Sequence, residues 1–245
     1  MAFSQAGVGA PGDGRVREVN NRMVGSVGKL TGDAQRTAAS ARWHDARQPA
    51  IIAPVLGEGS KREQATMILK VARLGYPVLR ASAQPIAPER INTPEFQRLL
   101  DDMVDTMREY VGVGLAAPQV HLPLRVAVLE VEHHPRYPEM PSVPLTFLVN
   151  PEVTILDRTT VEEWEGCLSI PEMRGRVPRF KQLRVTGLGR HGEALDFTAS
   201  DFHARVIQHE TDHLNGEVYL DRMPNMRSLA HLAEWHRFAL KPEHE

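Results

Sequence analysis

The sequence predicts an α+β fold: short antiparallel strands packed around a central helix that carries His-Glu-x-x-His, with a second helix N-terminal to it. Three observations predict it. Residues 200–216 have helical periodicity around His209-Glu210-Thr211-Asp212-His213. Residues 93–110 have a second, cleaner helical stripe. The chain between them breaks into apolar runs of strand length, separated by Gly- and Pro-rich turns.

In the first helix, Thr93-Pro94-Glu95 supplies a capping hydroxyl, a proline in the first turn and an acid next to it. Phe96, Leu99, Leu100, Met103, Val104 and Met107 then form one apolar stripe, read as core contacts. Residues 111–120 follow, Val-Gly-Val-Gly-Leu-Ala-Ala-Pro-Gln-Val, where small residues allow a close backbone approach. A phosphate loop is a poor fit, because a third glycine and a Walker lysine are absent. Residues 125–131 and 145–149 read as strands, with a Pro-rich loop over 133–144. Residues 153–156 and 160–164 read as further short strands, interrupted at 165–171. Residues 182–188 and 193–198 form an antiparallel hairpin about Gly189-Arg190-His191-Gly192.

In the second helix, Ser200 and Asp201 are N-cap types. Phe202, Val206, Ile207, Glu210, His213 and Leu214 recur at three- and four-residue spacing, and Gly216 stands where a helix ends. Residues 228–240 read as a short amphipathic segment.

Composition bounds the rest. Hydrophobic content of 42% with 24% charged residues fits a soluble globular chain, and a formal charge of −2 argues for neither nucleic acid nor a membrane surface as partner. No apolar run approaches the roughly 20 residues that span a bilayer. Residues 1–66 read as a disordered extension, with nine Lys/Arg against six Asp/Glu, so the domain proper is expected over 67–245. No secretory signal is expected near the start, and six acids count against an organelle transit peptide. One cysteine, Cys167, excludes an intramolecular disulfide and suits a reducing compartment.

The chemistry follows from the spacing. Residues four apart on a helix share a face, so His209 and His213 can point two imidazoles at one metal ion against the apolar wall of Phe202 and Val206. A stable site needs a third ligand and an open position. Cys167 on its Gly-flanked turn is the candidate, although a lone cysteine is more often a small buried hydrophobe. Glu210 is placed to take a proton from water and return it to a leaving amine. Charge developing on a carbonyl oxygen needs fixed donors, for which Gln119 and the backbone N–H of Leu168 are candidates. A zinc endopeptidase would use the same helix with a downstream third ligand, His231 or Glu234. A cysteine hydrolase with Cys167 as nucleophile is a third reading.

Three stretches together resemble the peptide deformylase family: Gly112-Val113-Gly114-Leu115-Ala116-Ala117-Pro118-Gln119, Glu165-Gly166-Cys167-Leu168-Ser169, and Gln208-His209-Glu210-Thr211-Asp212-His213-Leu214-Asn215-Gly216. All signature positions are present, in the family's order. The resemblance implies a hydrolase that removes the formyl group from N-formylmethionine of new peptides. It implies one divalent metal on Cys167, His209 and His213, Fe²⁺ first, with Zn²⁺ or Ni²⁺ as substitutes. Glu210 would be the acid/base, with Gln119 and Leu168 on the formyl oxygen. Gly114 and Arg174 would lie along the peptide, and Val113, Leu168, Phe202 and Val206 near its methionine. Arg179 is a possible partner for Glu165. N-formylmethionyl nascent peptides and a transient ribosome contact are the partners implied. Bacterial cytoplasm is the expected location, an organelle matrix the second.

Overall fold

The computed structural model describes residues 67–131 and 142–239. The extension read over 1–66, most of the Pro-rich loop read over 133–144 and residues 240–245 lie outside the described residues.

The N-terminal helix runs Pro94–Glu109, with Thr93 as N-cap accepting from the Phe96 N–H. Its stripe of Phe96, Leu100, Met103, Val104 and Met107 is buried. Two polar residues share that face. Thr106 accepts from the Leu69 N–H at 2.8 Å and Asp102 from the Met67 N–H at 3.2 Å, which ties the incoming chain to the helix.

One antiparallel sheet follows in sequence order: β1 (Gly114–Ala116), β2 (Val126–Val131), β3 (Val143–Cys167), β4 (Ile170–Leu188) and β5 (Ala194–Ser200). A short β6 (Ala230–His231) adds to β4. Alternation in β2 divides the core. Val126 and Val128 pack with the N-terminal helix, while Leu129 and Val131 join the cluster of the motif helix. A strand covered on both faces has no reason to alternate polar and apolar residues, which is why 126–131 is an apolar run.

The runs read separately at 153–156 and 160–164 belong to one strand. β3 is 25 residues long and stays paired with β4 through register shifts at Ile155/Asp157 and Asp157/Thr160. Such bulges bend a strand without ending it, so the pattern breaks while the ladder continues. The interruption read at 165–171 shrinks to a two-residue turn, Leu168-Ser169, because Cys167 pairs with Ile170. The β4–β5 hairpin matches the expected one, with Gln182 opposite Ser200 and Leu188 opposite Ala194.

The motif helix runs Asp201–Leu214. Ala204, Val206 and Ile207 pack on Leu148, Leu183 and Val185 of the sheet. Neither expected cap bonds the helix through its side chain: Ser200 makes no capping bond and Asp201 is the first helical residue. Gly216 has φ +79°, the left-handed conformation expected there. Beyond it the amphipathic segment is not one helix. It passes through a 3-10 turn, β6, and one helical turn at Leu232–Glu234 that widens over Trp235–Ala239. Among the described residues, no helix is long and apolar enough to cross a membrane.

Candidate active site

The β3–β4 hairpin and the motif helix meet at the two-residue turn. Cys167, the last residue of β3, lies with its Sγ 3.2 Å from His213 Nε2. His209 stands one helical turn earlier, its ring 5.1 Å from that of His213. One donor atom each from Cys167, His209 and His213 lie within 4.8 Å of one another. The thiol is buried, which alone would raise its pKa, yet the adjacent His213 and His209 hold it well below its ordinary value. A thiolate and two imidazoles around one point are a donor set that fits a divalent transition-metal ion and leaves room for a fourth ligand.

The orientation of His209 is fixed from behind. Its Nδ1 donates to Glu165 Oε2 at 2.9 Å, which leaves Nε2 for the centre. Glu165 is itself gripped by Arg179 through two bonds of 2.9 and 3.0 Å, and by Arg205 at 2.7 Å. Burial opposes ionisation of Glu165, but Arg179 and His209 outweigh it and hold the carboxyl far below the usual carboxylate range. Arg179 reaches on to Asp212 at 2.6 Å, and Arg222 holds the other oxygen of Asp212 at 2.7 Å. The Arg179–Glu165 pair matches the partnership read from the sequence. Arg205, Asp212 and Arg222 escaped that reading. Asp212 precedes His213 within the motif, but nothing in the spacing says that its carboxylate turns inward to meet an arginine 33 residues away.

Glu210 faces the centre from the motif helix. It is 3% exposed, and its Oε2 has no hydrogen-bond partner among the described residues. Burial pushes its carboxyl up to about 7, against the pull of the neighbouring imidazoles. Gln119 is not a surface glutamine. It is 1% exposed, and its Oε1 accepts from the Ala116 N–H at 2.8 Å. That bond turns Nε2 toward Cys167 Sγ, 3.5 Å away, and Ser169 Oγ, 3.4 Å away.

An open cleft covers this centre. It is lined by Val113, Gly114, Gln119, Leu168, Phe202 and Val206, and by Arg174 further along. All the residues expected to touch metal or peptide line this cleft except His213, which is fully buried behind Cys167. His231 and Glu234, the third ligands of the endopeptidase reading, are both exposed and do not join the Cys167, His209, His213 group.

Comparisons with known proteins agree with this fold. The polypeptide deformylase family model matches residues 68–228. The chain is 48% identical over 165 residues to peptide deformylase 1 of Nitrosomonas europaea, covering 67% of this chain and 93% of that protein. It is 46% identical over 153 residues to peptide deformylase 2 of Ralstonia nicotianae, covering 62% of this chain and 85% of that one. Among solved structures, a class I type b peptide deformylase from Acinetobacter baumannii with Met-Ala-Ser bound superposes with a TM-score of 0.63 at 37% identity, covering 64% of this chain and 99% of that one. The chain belongs to the polypeptide deformylase family, hydrolases that release the formyl group from the N-terminal formylmethionine of newly made proteins.

Proposed function

We propose that this cleft hydrolyses the formyl amide of N-formylmethionyl nascent peptides, with Cys167, His209 and His213 holding the metal and Glu210 moving the proton. The observation that carries the reading is the convergence of three ligand atoms within 4.8 Å beside a buried carboxylate with an unpartnered oxygen. A divalent ion bound there supplies Lewis-acid activation of water and polarisation of the formyl carbonyl. Fe²⁺ is the proposed native ion. Zn²⁺ and Ni²⁺ suit the same donors, so supply decides rather than affinity.

The chain's own residues do the rest. Glu210 takes a proton from the attacking water and delivers it to the departing amine nitrogen. Its buried setting, with a carboxyl near 7, suits a group that must both accept and donate. Gln119 Nε2 and the Leu168 N–H donate to the formyl oxygen as charge gathers there. Val113, Phe202 and Val206 take the methionine side chain, and Gly114 and Arg174 lie along the peptide backbone. Glu165 keeps His209 in one orientation and one tautomer.

The proposed catalytic unit is residues 67–245, with 1–66 an extension to it. A substrate that emerges with the nascent chain implies a transient ribosome contact. The bacterial relatives support a bacterial cytoplasmic setting.

The test is formate release from a formyl-Met tripeptide by protein prepared without oxygen, with metal content measured on the same sample. Cys167→Ala should lose metal and activity together. If Cys167→Ala retains its metal, the ligand set is wrong. Activity that survives complete metal removal would instead favour a cysteine hydrolase.

A further inference from the structure

Residues 67–76 form neither helix nor strand, yet three consecutive residues of this segment grip both places that carry a candidate formyl-oxygen donor. The Ala72 N–H donates to the Gln119 carbonyl at 2.7 Å. Arg73 Nη1 donates to the Leu168 carbonyl at 2.7 Å. The Leu74 N–H donates to the Ser169 carbonyl at 2.9 Å.

Two of these bonds come from the backbone, so most residue types would supply them. The third comes from a side chain, and its sequence identity matters. Val71 and Ala72 are buried and anchor the segment, while Arg73 is exposed and lines the cleft. No carboxylate pairs with Arg73 among the described residues, so its guanidinium is not drawn away from the carbonyl. A bond from a charged donor is stronger than a neutral one.

That bond acts on one peptide unit held at both ends. The Leu168 carbonyl accepts from Arg73, and the N–H of the same unit, that of Ser169, donates to Cys167 Sγ at 3.4 Å. A peptide unit is planar, so holding both ends fixes its plane. On the other side of Leu168, Cys167 is paired with Ile170. Only the two backbone dihedrals of Leu168 lie between these fixed points, which leaves its N–H little freedom of direction. The Leu168 N–H itself makes no hydrogen bond among the described residues.

We propose that Arg73 is a positioning residue for deformylation: by holding the Leu168 carbonyl it aims the Leu168 N–H at the formyl oxygen. Its contribution is to kcat, made through the turn and not through contact with the peptide. This inference rests on the deformylase reading above.

The test uses the metal-loaded full chain and a formyl-Met tripeptide. Removing a whole oxyanion donor costs about 100- to 1000-fold in kcat. Arg73→Met keeps the donor and loosens its aim, so kcat should fall about tenfold, with KM and metal content near those of the wild type. Arg73→Lys, which keeps one charged donor, should recover most of the loss. Lys70→Met is the control for lost charge, since Lys70 is exposed on the same segment and does not line the cleft. Amide exchange on the zinc-loaded protein gives a readout apart from activity: in Arg73→Met the Ser169 amide should exchange faster while amides of the motif helix keep their protection. An unchanged kcat, a change confined to KM, loss of the metal, or an equal loss in Lys70→Met would each overturn the proposal. Should Arg73→Met fail to fold, Arg73→Lys carries the test, with kcat lowered about threefold and KM held. A wild-type protein that releases no formate would overturn the functional reading instead, and the exchange of the Ser169 amide would still show whether Arg73 holds the turn.

Discussion

Glu210 occupies the space that a side chain at position 114 would need: a β-carbon on Gly114 would stand 2.3 Å from Glu210 Oε1. The glycine therefore allows strand β1 to lie directly against the Glu210 carboxylate. Gly114→Ala should displace Glu210 and lower kcat roughly a hundredfold, while metal content stays near that of the wild type. A fully active Gly114→Ala protein would show that Glu210 works from another position.

Glu210→Ala should separate binding from chemistry. The three proposed metal donors do not include it, so metal content should hold while formate release falls roughly a thousandfold. Metal analysis and steady-state kinetics on one preparation decide this. Loss of the metal instead would make Glu210 a ligand.

Glu165→Gln leaves His209 Nδ1 without its charged acceptor and Arg179 and Arg205 without their shared anion. Metal affinity should fall by about 10- to 100-fold. Burying two guanidinium groups less well compensated should also lower the thermal midpoint. Competition with a chelator measures the first effect and calorimetry the second. Unchanged affinity would mean that His209 is oriented by helix packing alone.

A pH dependence is expected away from the proposed metal site. Asp221 accepts from the Val218 N–H at 2.8 Å and pairs with Arg80. Partial burial opposes its ionisation, but the bonds from Arg80 and Val218 dominate and depress its pKa. A carboxyl depressed on folding contributes stability above its unfolded value, roughly 3.9, and loses it as pH falls through the lower folded value. Asp221→Asn should therefore melt below the wild type near neutral pH, and the gap should close in acid. A gap that stays constant down to the folded pKa would show that the charge of Asp221 contributes nothing.

Much of the site was legible in the sequence because its central part is local. His209 and His213 four residues apart, the apolar spacing of Phe202 and Val206, and Gly216 as terminator follow from helix geometry alone. The N-terminal helix was equally plain, since capping and stripe agree over Pro94–Glu109. The long β3–β4 hairpin was not, because bulges near Asp157 scramble the alternation that marks a strand.

By itself the sequence determined the candidate donor set, the helix that presents two of its members, and the α+β class. Only the tertiary structure decided what surrounds them. That Glu165 braces His209 from 44 residues away, that Gly114 makes room for Glu210, and that Arg73 reaches the Leu168 carbonyl all depend on strand register and chain return. Helical spacing is fixed by bonds within one turn. Contacts between distant segments are fixed by packing, which no short stretch of sequence encodes.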